Sequence, residues 1–99
     1  MGSSDYNDFL FEQLQDLEFA AGYLNECLKE GESTFLLALK DIVEAHGGIG
    51  NLAKRTELNR EGLYKMLSES GNPTLSSLYV ILSSLGIELQ FTKKEEKAA

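Results

Sequence analysis

The chain predicts an all-α fold of five to six short helices built around a helix-turn-helix, with one short strand at its C-terminal end. Three observations carry that reading. Apolar residues recur at helical spacing almost throughout. Only one proline interrupts 99 residues, and 42% of them are hydrophobic, the proportion of an ordinary globular domain. Third, Leu52 to Leu67 reads as two short helices around a tight turn, with apolar residues where such a pair needs internal contacts. The length suits one domain with one core.

The elements follow in order. Residues 1–4 read as a flexible start, and 5–92 as a single domain. Tyr6, Phe9, Leu10 and Leu14 repeat at helical spacing and make a first short helix. Leu17, Ala20, Ala21, Tyr23, Leu24, Cys27 and Leu28 make a second, N-capped by Asp16 with Glu18 in the favourable first turn. Ser33 or Thr34 is expected to open the third, whose inner face is Phe35, Leu36, Leu39, Ile42, Val43 and His46, and Gly47-Gly48 stops it. Residues 5–46 thus form an N-terminal set of helices.

Residues 49–68 hold the helix pair. Leu52 and Ala53 lie inside its first helix, and the small Ala53 allows close approach. Glu57 occupies a turn position that needs left-handed backbone, at a cost on the order of 1 kcal/mol for a non-glycine residue. Leu58 plugs the turn, Asn59 caps the second helix, and Leu63, Met66 and Leu67 turn inward, with Gly62 in the first turn. Ser70-Gly71-Asn72-Pro73 is a loop, and Thr74 caps a support helix over 74–85 with a buried stripe of Leu75, Leu78, Tyr79, Leu82 and Leu85, ended by Gly86. Ile87-Glu88-Leu89-Gln90-Phe91 then alternates apolar and polar, the period of a half-buried strand. Nothing else in the chain reads as strand. The economical partner is the same segment of a second subunit, placing Ile87, Leu89 and Phe91 at a dimer contact, against the alternative of an extended tail packed on its own domain. Residues 93–99 read as a disordered tail.

Net charge is −7, and it is unevenly placed. Residues 1–46 set Lys29 and Lys40 against ten carboxylates, a net of −8, whereas 47–92 balance to zero. The acidic half either keeps a small helical protein soluble or meets a basic partner with favourable association kinetics. Weak DNA binding by a single copy also follows from this balance, which favours a dimer on two half-sites. Cys27 is alone, so no internal disulfide forms; beside Leu24 and Leu28 it behaves as a small hydrophobe. With His46 the single histidine, no nucleophile–base pair, paired acids or metal spacing appears, so neither an enzyme nor a metal or cofactor site is expected. His46, ending its helix, is expected to meet terminal carbonyls or water. No apolar run reaches membrane-span length and no signal peptide is read, so the expectation is a soluble, cytoplasmic protein.

In a helix-turn-helix the second helix presents its outer face to the major groove. That face here is Arg60, Glu61, Tyr64 and Lys65, with Asn59 at its start. Arg60 and Lys65 are the first candidates for base or phosphate contact. Glu61 either accepts from cytosine or pairs with Lys65 at i,i+4, and Tyr64 packs on a sugar or thymine methyl or shields the helix. Asn51, Lys54, Ser68, Asn72 and Thr74 flank the motif as candidate phosphate contacts.

Over about residues 16–91 the chain resembles the addiction-module antidote (antitoxin) proteins that carry a phage repressor/Cro-type helix-turn-helix. The resemblance rests on Tyr23-Leu24-Asn25, Phe35-Leu36-Leu37-Ala38-Leu39, Ala45-His46-Gly47-Gly48, Leu52-Ala53, Leu58-Asn59-Arg60-Glu61, Leu63-Tyr64, Gly71-Asn72-Pro73 and Leu85-Gly86-Ile87. It implies an all-α repressor that binds double-stranded operator DNA as a homodimer and neutralises a small basic toxin encoded beside it. Two residues depart from the pattern. Glu57 replaces the turn glycine, and Ile49 stands where many such repressors carry a phosphate-contacting Gln. Both bear on tight DNA binding and neither on toxin binding. Two other readings stay open: a regulator without a toxin, and a toxin-binding module whose helix-turn-helix is only scaffold.

Overall fold

The computed structural model describes residues 2–95 and contains six α-helices: α1 Gly2–Gln13, α2 Leu17–Leu28, α3 Glu32–Ala45, α4 Gly48–Thr56, α5 Arg60–Met66 and α6 Leu75–Leu85. Helical backbone reaches back to Gly2, into the segment expected as a flexible start. Residues 96–99, the last part of the expected tail, lie outside the described residues.

Local chemistry sets most boundaries. Asp16 accepts from the Glu18 amide at 2.9 Å, Asn59 from Gly62 at 2.9 Å and Thr74 from Ser77 at 3.1 Å, so α2, α5 and α6 begin where a side-chain oxygen satisfies an orphan amide. Gly86, left-handed at φ 87°, ends α6. Helix α3 starts earlier than Ser33 or Thr34. Gly31 adopts φ 127°, reverses the chain and lets the helix begin at Glu32, whose charge suits the first turn.

α3 is the central helix, packed by α1, α2 and α4, while α4 also carries α5 and α6. Ala20 and Leu24, Leu39 and Ile42, Ile49 and Leu52, Leu63, and Ile81 are fully or almost fully buried, joining α2 to α6 in one core. The α1–α2 corner is clasped to this centre from outside: His46 Nε2 meets the Leu14 carbonyl at 2.8 Å, and Gln15 Nε2 donates to the Ala45 carbonyl. His46 therefore does sit on a helix-terminal carbonyl, one belonging to another helix.

Two expected stripes are rotated. Leu75 and Tyr79 are 68% and 60% exposed, and α6 instead buries Ile81, Leu82 and Leu85 with Leu78 half-buried. In α1, Tyr6 and Phe9 face outward while Leu10, and Leu14 just after the helix, pack inward. The apolar residues of α6 nearly encircle it, so tertiary contact and not periodicity selects the face.

No strand forms among the described residues. A ladder needs two segments, and one chain supplies only one. Ile87 and Leu89 still pack on the core between exposed Glu88 and Gln90, a two-residue alternation.

Glu57 closes α4 in left-handed conformation, φ 62° and ψ 15°, with its amide donating to Ala53 O at 2.9 Å. It is the one non-glycine with positive φ among the described residues. The backbone is strained and a carboxylate sits at the negative end of the helix. Glu57→Gly is expected to raise unfolding stability by about 1 kcal/mol, read as a higher urea midpoint; an unchanged or lower midpoint would show that packing has already removed the strain.

Candidate nucleic-acid interface

The α4–turn–α5 pair is built by short-range bonds. Thr56 Oγ1 donates to the Leu52 carbonyl at 2.8 Å and accepts from the Leu58 amide at 3.2 Å, turning the chain out of α4. Leu58 drops onto the core, and Asn59 opens α5. Helix α5 has only seven residues and would be marginal alone. Leu63 and the following Leu67, both fully buried, hold its inner side.

Its other side is polar and open. Arg60, Glu61, Tyr64 and Lys65 are all exposed. The Arg60 guanidinium lies over the Tyr64 ring, 5.9 Å from the centroid, a cation–π arrangement one helical turn apart. It also leans on α4, where a Cβ added at Gly50 would stand 3.8 Å from its central carbon. Among the described residues neither Arg60 nor Lys65 is ion-paired, and the salt bridge is Lys29–Glu26, at 3.1 Å at the end of α2. The alternative of a Glu61–Lys65 pair does not form. An exposed guanidinium held over an exposed aromatic ring suits an anionic, planar, hydrogen-bonding ligand.

The flanking candidates divide. Asn59 and Thr74 use their side-chain oxygens as caps, and Ser68 Oγ donates to the Lys65 carbonyl at 2.8 Å. The Asn51 amide covers Gly47, with its nitrogen 2.4 Å from where a Cβ would stand. Lys54 and Asn72 are exposed. So Lys54, Arg60, Glu61, Tyr64 and Lys65, with Asn72, are the candidate side chains left exposed without a structural hydrogen bond.

Two contacts that hold the pair in place were not read from the chain. Arg55 reaches from the last turn of α4 to the Ser84 carbonyl of α6 at 3.4 Å. Gly71 passes so close to the end of α5 that a Cβ would stand 2.1 Å from the Met66 carbonyl oxygen. Gly71 sits in the Gly-Asn-Pro loop, where turn chemistry was visible; the close approach is tertiary and left no local sign.

The acidic half has different chemistry. Tyr23 donates to Asp41 Oδ2 at 2.9 Å, and burial, then this bond and the Asp41 charge, hold its phenol well above the ordinary range. Cys27 is raised as well, by burial and then by the charges of Glu30, Asp41 and Glu26, which keeps it a thiol and a poor nucleophile. Exposed Asp8, Glu12, Glu18, Glu26, Glu30 and Glu32 leave the surface of α1 to α3 strongly negative. No described helix is long and apolar enough to cross a membrane.

Residues 5–93 match the family described as probable addiction module antidote protein. An uncharacterized protein of Haemophilus influenzae is 36% identical over 89 residues, covering 80% of this chain and 91% of the relative. No solved structure matches. With a match spanning the six helices from residue 5 onward, the chain belongs to the family of probable addiction module antidote proteins.

Proposed function

We propose that this protein is the antitoxin of a type II toxin–antitoxin module: in the cytoplasm it binds and neutralises a small basic toxin, and as a homodimer paired through Ile87, Leu89 and Phe91 it represses its own operon. The observation that carries the antitoxin role is the antidote family match across residues 5–93. The DNA-binding role is supported by the outward face of α5, where Arg60, Tyr64 and Lys65 are exposed on the opposite side from a fully buried Leu63. On this reading α4 and α5 are a repressor-type helix-turn-helix, with α5 entering the major groove. The net of −8 over residues 1–46 suits a basic toxin, and it lies on helices other than the DNA-reading one.

The test is co-expression with the product of the adjacent small open reading frame. The expected outcome is that the two proteins co-purify and that the growth arrest caused by the neighbour alone disappears. A neighbour without toxicity and without a complex would overturn the antitoxin role and leave a DNA-binding regulator. Complex formation that weakens steeply with salt, together with absent operator binding, would instead make the α4–α5 pair a scaffold.

A further inference from the structure

A groove of about 820 Å³ lies between α2, α6 and the segment that follows α6. Leu24 and Leu28, Leu78 and Leu82, and Ile87 and Leu89 supply its apolar lining. The left-handed Gly86 turns the chain out of α6, and the Ile87 amide donates to the Leu82 carbonyl at 2.9 Å, which fixes the start of the second wall. Leu24 and Leu82 are buried, whereas Leu28 is 52% exposed. Apolar residues that reach the surface inside a polar rim are the anatomy of a protein-binding site.

The rim selects the occupant. Glu26 stands on the α2 wall and Glu88 on the wall after α6, both exposed. Lys29, the one cation in the lining, is bridged to Glu26 at 3.1 Å. Helix α6 carries no charged residue to offset them. Residues 1–28 contain no Lys, Arg or His, and exposed Glu30 and Glu32 continue the negative surface past α2. Such a field repels nucleic acid, an anionic bilayer and a second chain of net −7 alike. It attracts a basic protein.

We propose that this groove is the toxin-docking site, taking a segment of the basic toxin that carries apolar side chains flanked by Lys or Arg. The proposal rests on the antitoxin reading above and names the surface that serves it. Apolar side chains of the toxin displace water over Leu28, Leu78 and Ile87, and its cations meet Glu26 and Glu88 at the two walls. The other proposed contacts stay free. None of Lys54, Arg60, Tyr64 and Lys65 lines the groove, and Phe91 is the one residue of 87–92 outside the lining. Toxin seated here therefore leaves the outer face of α5 open.

Isothermal titration of the full chain with the purified product of the adjacent small open reading frame tests this. Wild type is expected to bind. Glu26→Lys combined with Glu88→Lys should raise the dissociation constant by about tenfold or more, because like charges then face the toxin. Leu28→Ser should raise it roughly fivefold through lost apolar contact. Asp8→Lys combined with Glu12→Lys makes the same change of charge on α1, outside the groove. Its effect should stay below about threefold at physiological salt, where charges more than about 8 Å away are screened. All five side chains are exposed, so each free variant should unfold at the wild-type urea midpoint. A wild type that binds nothing overturns the antitoxin reading, and this proposal falls with it. Wild-type binding that the groove variants leave unchanged, or that the α1 variant weakens as much, overturns the groove alone.

Discussion

Leu63→Ala is expected to destabilise the fold by about 2–5 kcal/mol, the range for leucine truncation in a close-packed interior. Leu63 is fully buried, and it is the one buried side chain within the seven residues of α5. Leu52 of α4, Leu67 just after α5 and Ile81 of α6 belong to the same core, and all are fully buried. Such a site has little freedom to collapse, so the lost contacts are not regained and the upper half of the range applies. A domain of this size has roughly 5–15 kcal/mol in total, so the variant loses a large fraction of it. In urea the midpoint should fall by about 1–3 M with unchanged slope. A loss below about 1 kcal/mol would mean that α5 is held mainly by its cap and its turn. The consequence for function is direct. A helix too short to persist alone presents Arg60 and Lys65 in fixed directions only while Leu63 anchors it.

Local rules were legible in the sequence, and tertiary choices were not. Asp16, Asn59, Thr74 and Gly86 each mark a helix end through atoms within three residues, and the structure places all four as expected. The left-handed Glu57 was legible for the same reason. The inner face of α6 was not, because Leu75, Leu78, Tyr79, Ile81, Leu82 and Leu85 surround the helix and two stripes compete. Contact with α4 decides for Ile81 and leaves Leu75 and Tyr79 outside. The candidate site shows the same division. Arg60 and Tyr64 are four apart on one helix, so their contact follows from helix geometry. Asn59, Ser68 and Thr74 carry oxygens that serve a cap as well as a phosphate, and composition does not separate the two uses. Gly50 and Gly71 matter because another element passes close by, which no spacing along the chain reveals.

Arg60→Ala should lower operator affinity by about 1–3 kcal/mol, with the loss confined to one base position. At 1.4 kcal/mol per tenfold, that is roughly a five- to 150-fold change. The geometry makes Arg60 the stronger of the two cations. Its guanidinium is held over Tyr64 at 5.9 Å and against α4 at Gly50, so less conformational freedom is lost on binding than for an unsupported side chain. Among the described residues no carboxylate is paired with it. Lys65 has no such support, and Lys65→Ala should weaken binding evenly across sequences and reduce the salt slope by about one. Tyr64→Phe should keep the Arg60 effect, since the ring and not the hydroxyl supports the cation. The acidic half sharpens the measurement: with a net charge of −7, background attraction to any DNA is low, so a base-specific loss is not hidden under non-specific binding. An unchanged footprint together with unchanged affinity would remove α5 from the reading role. The antitoxin function would then rest on the helices of residues 1–46, with the α4–α5 pair serving to hold them in place.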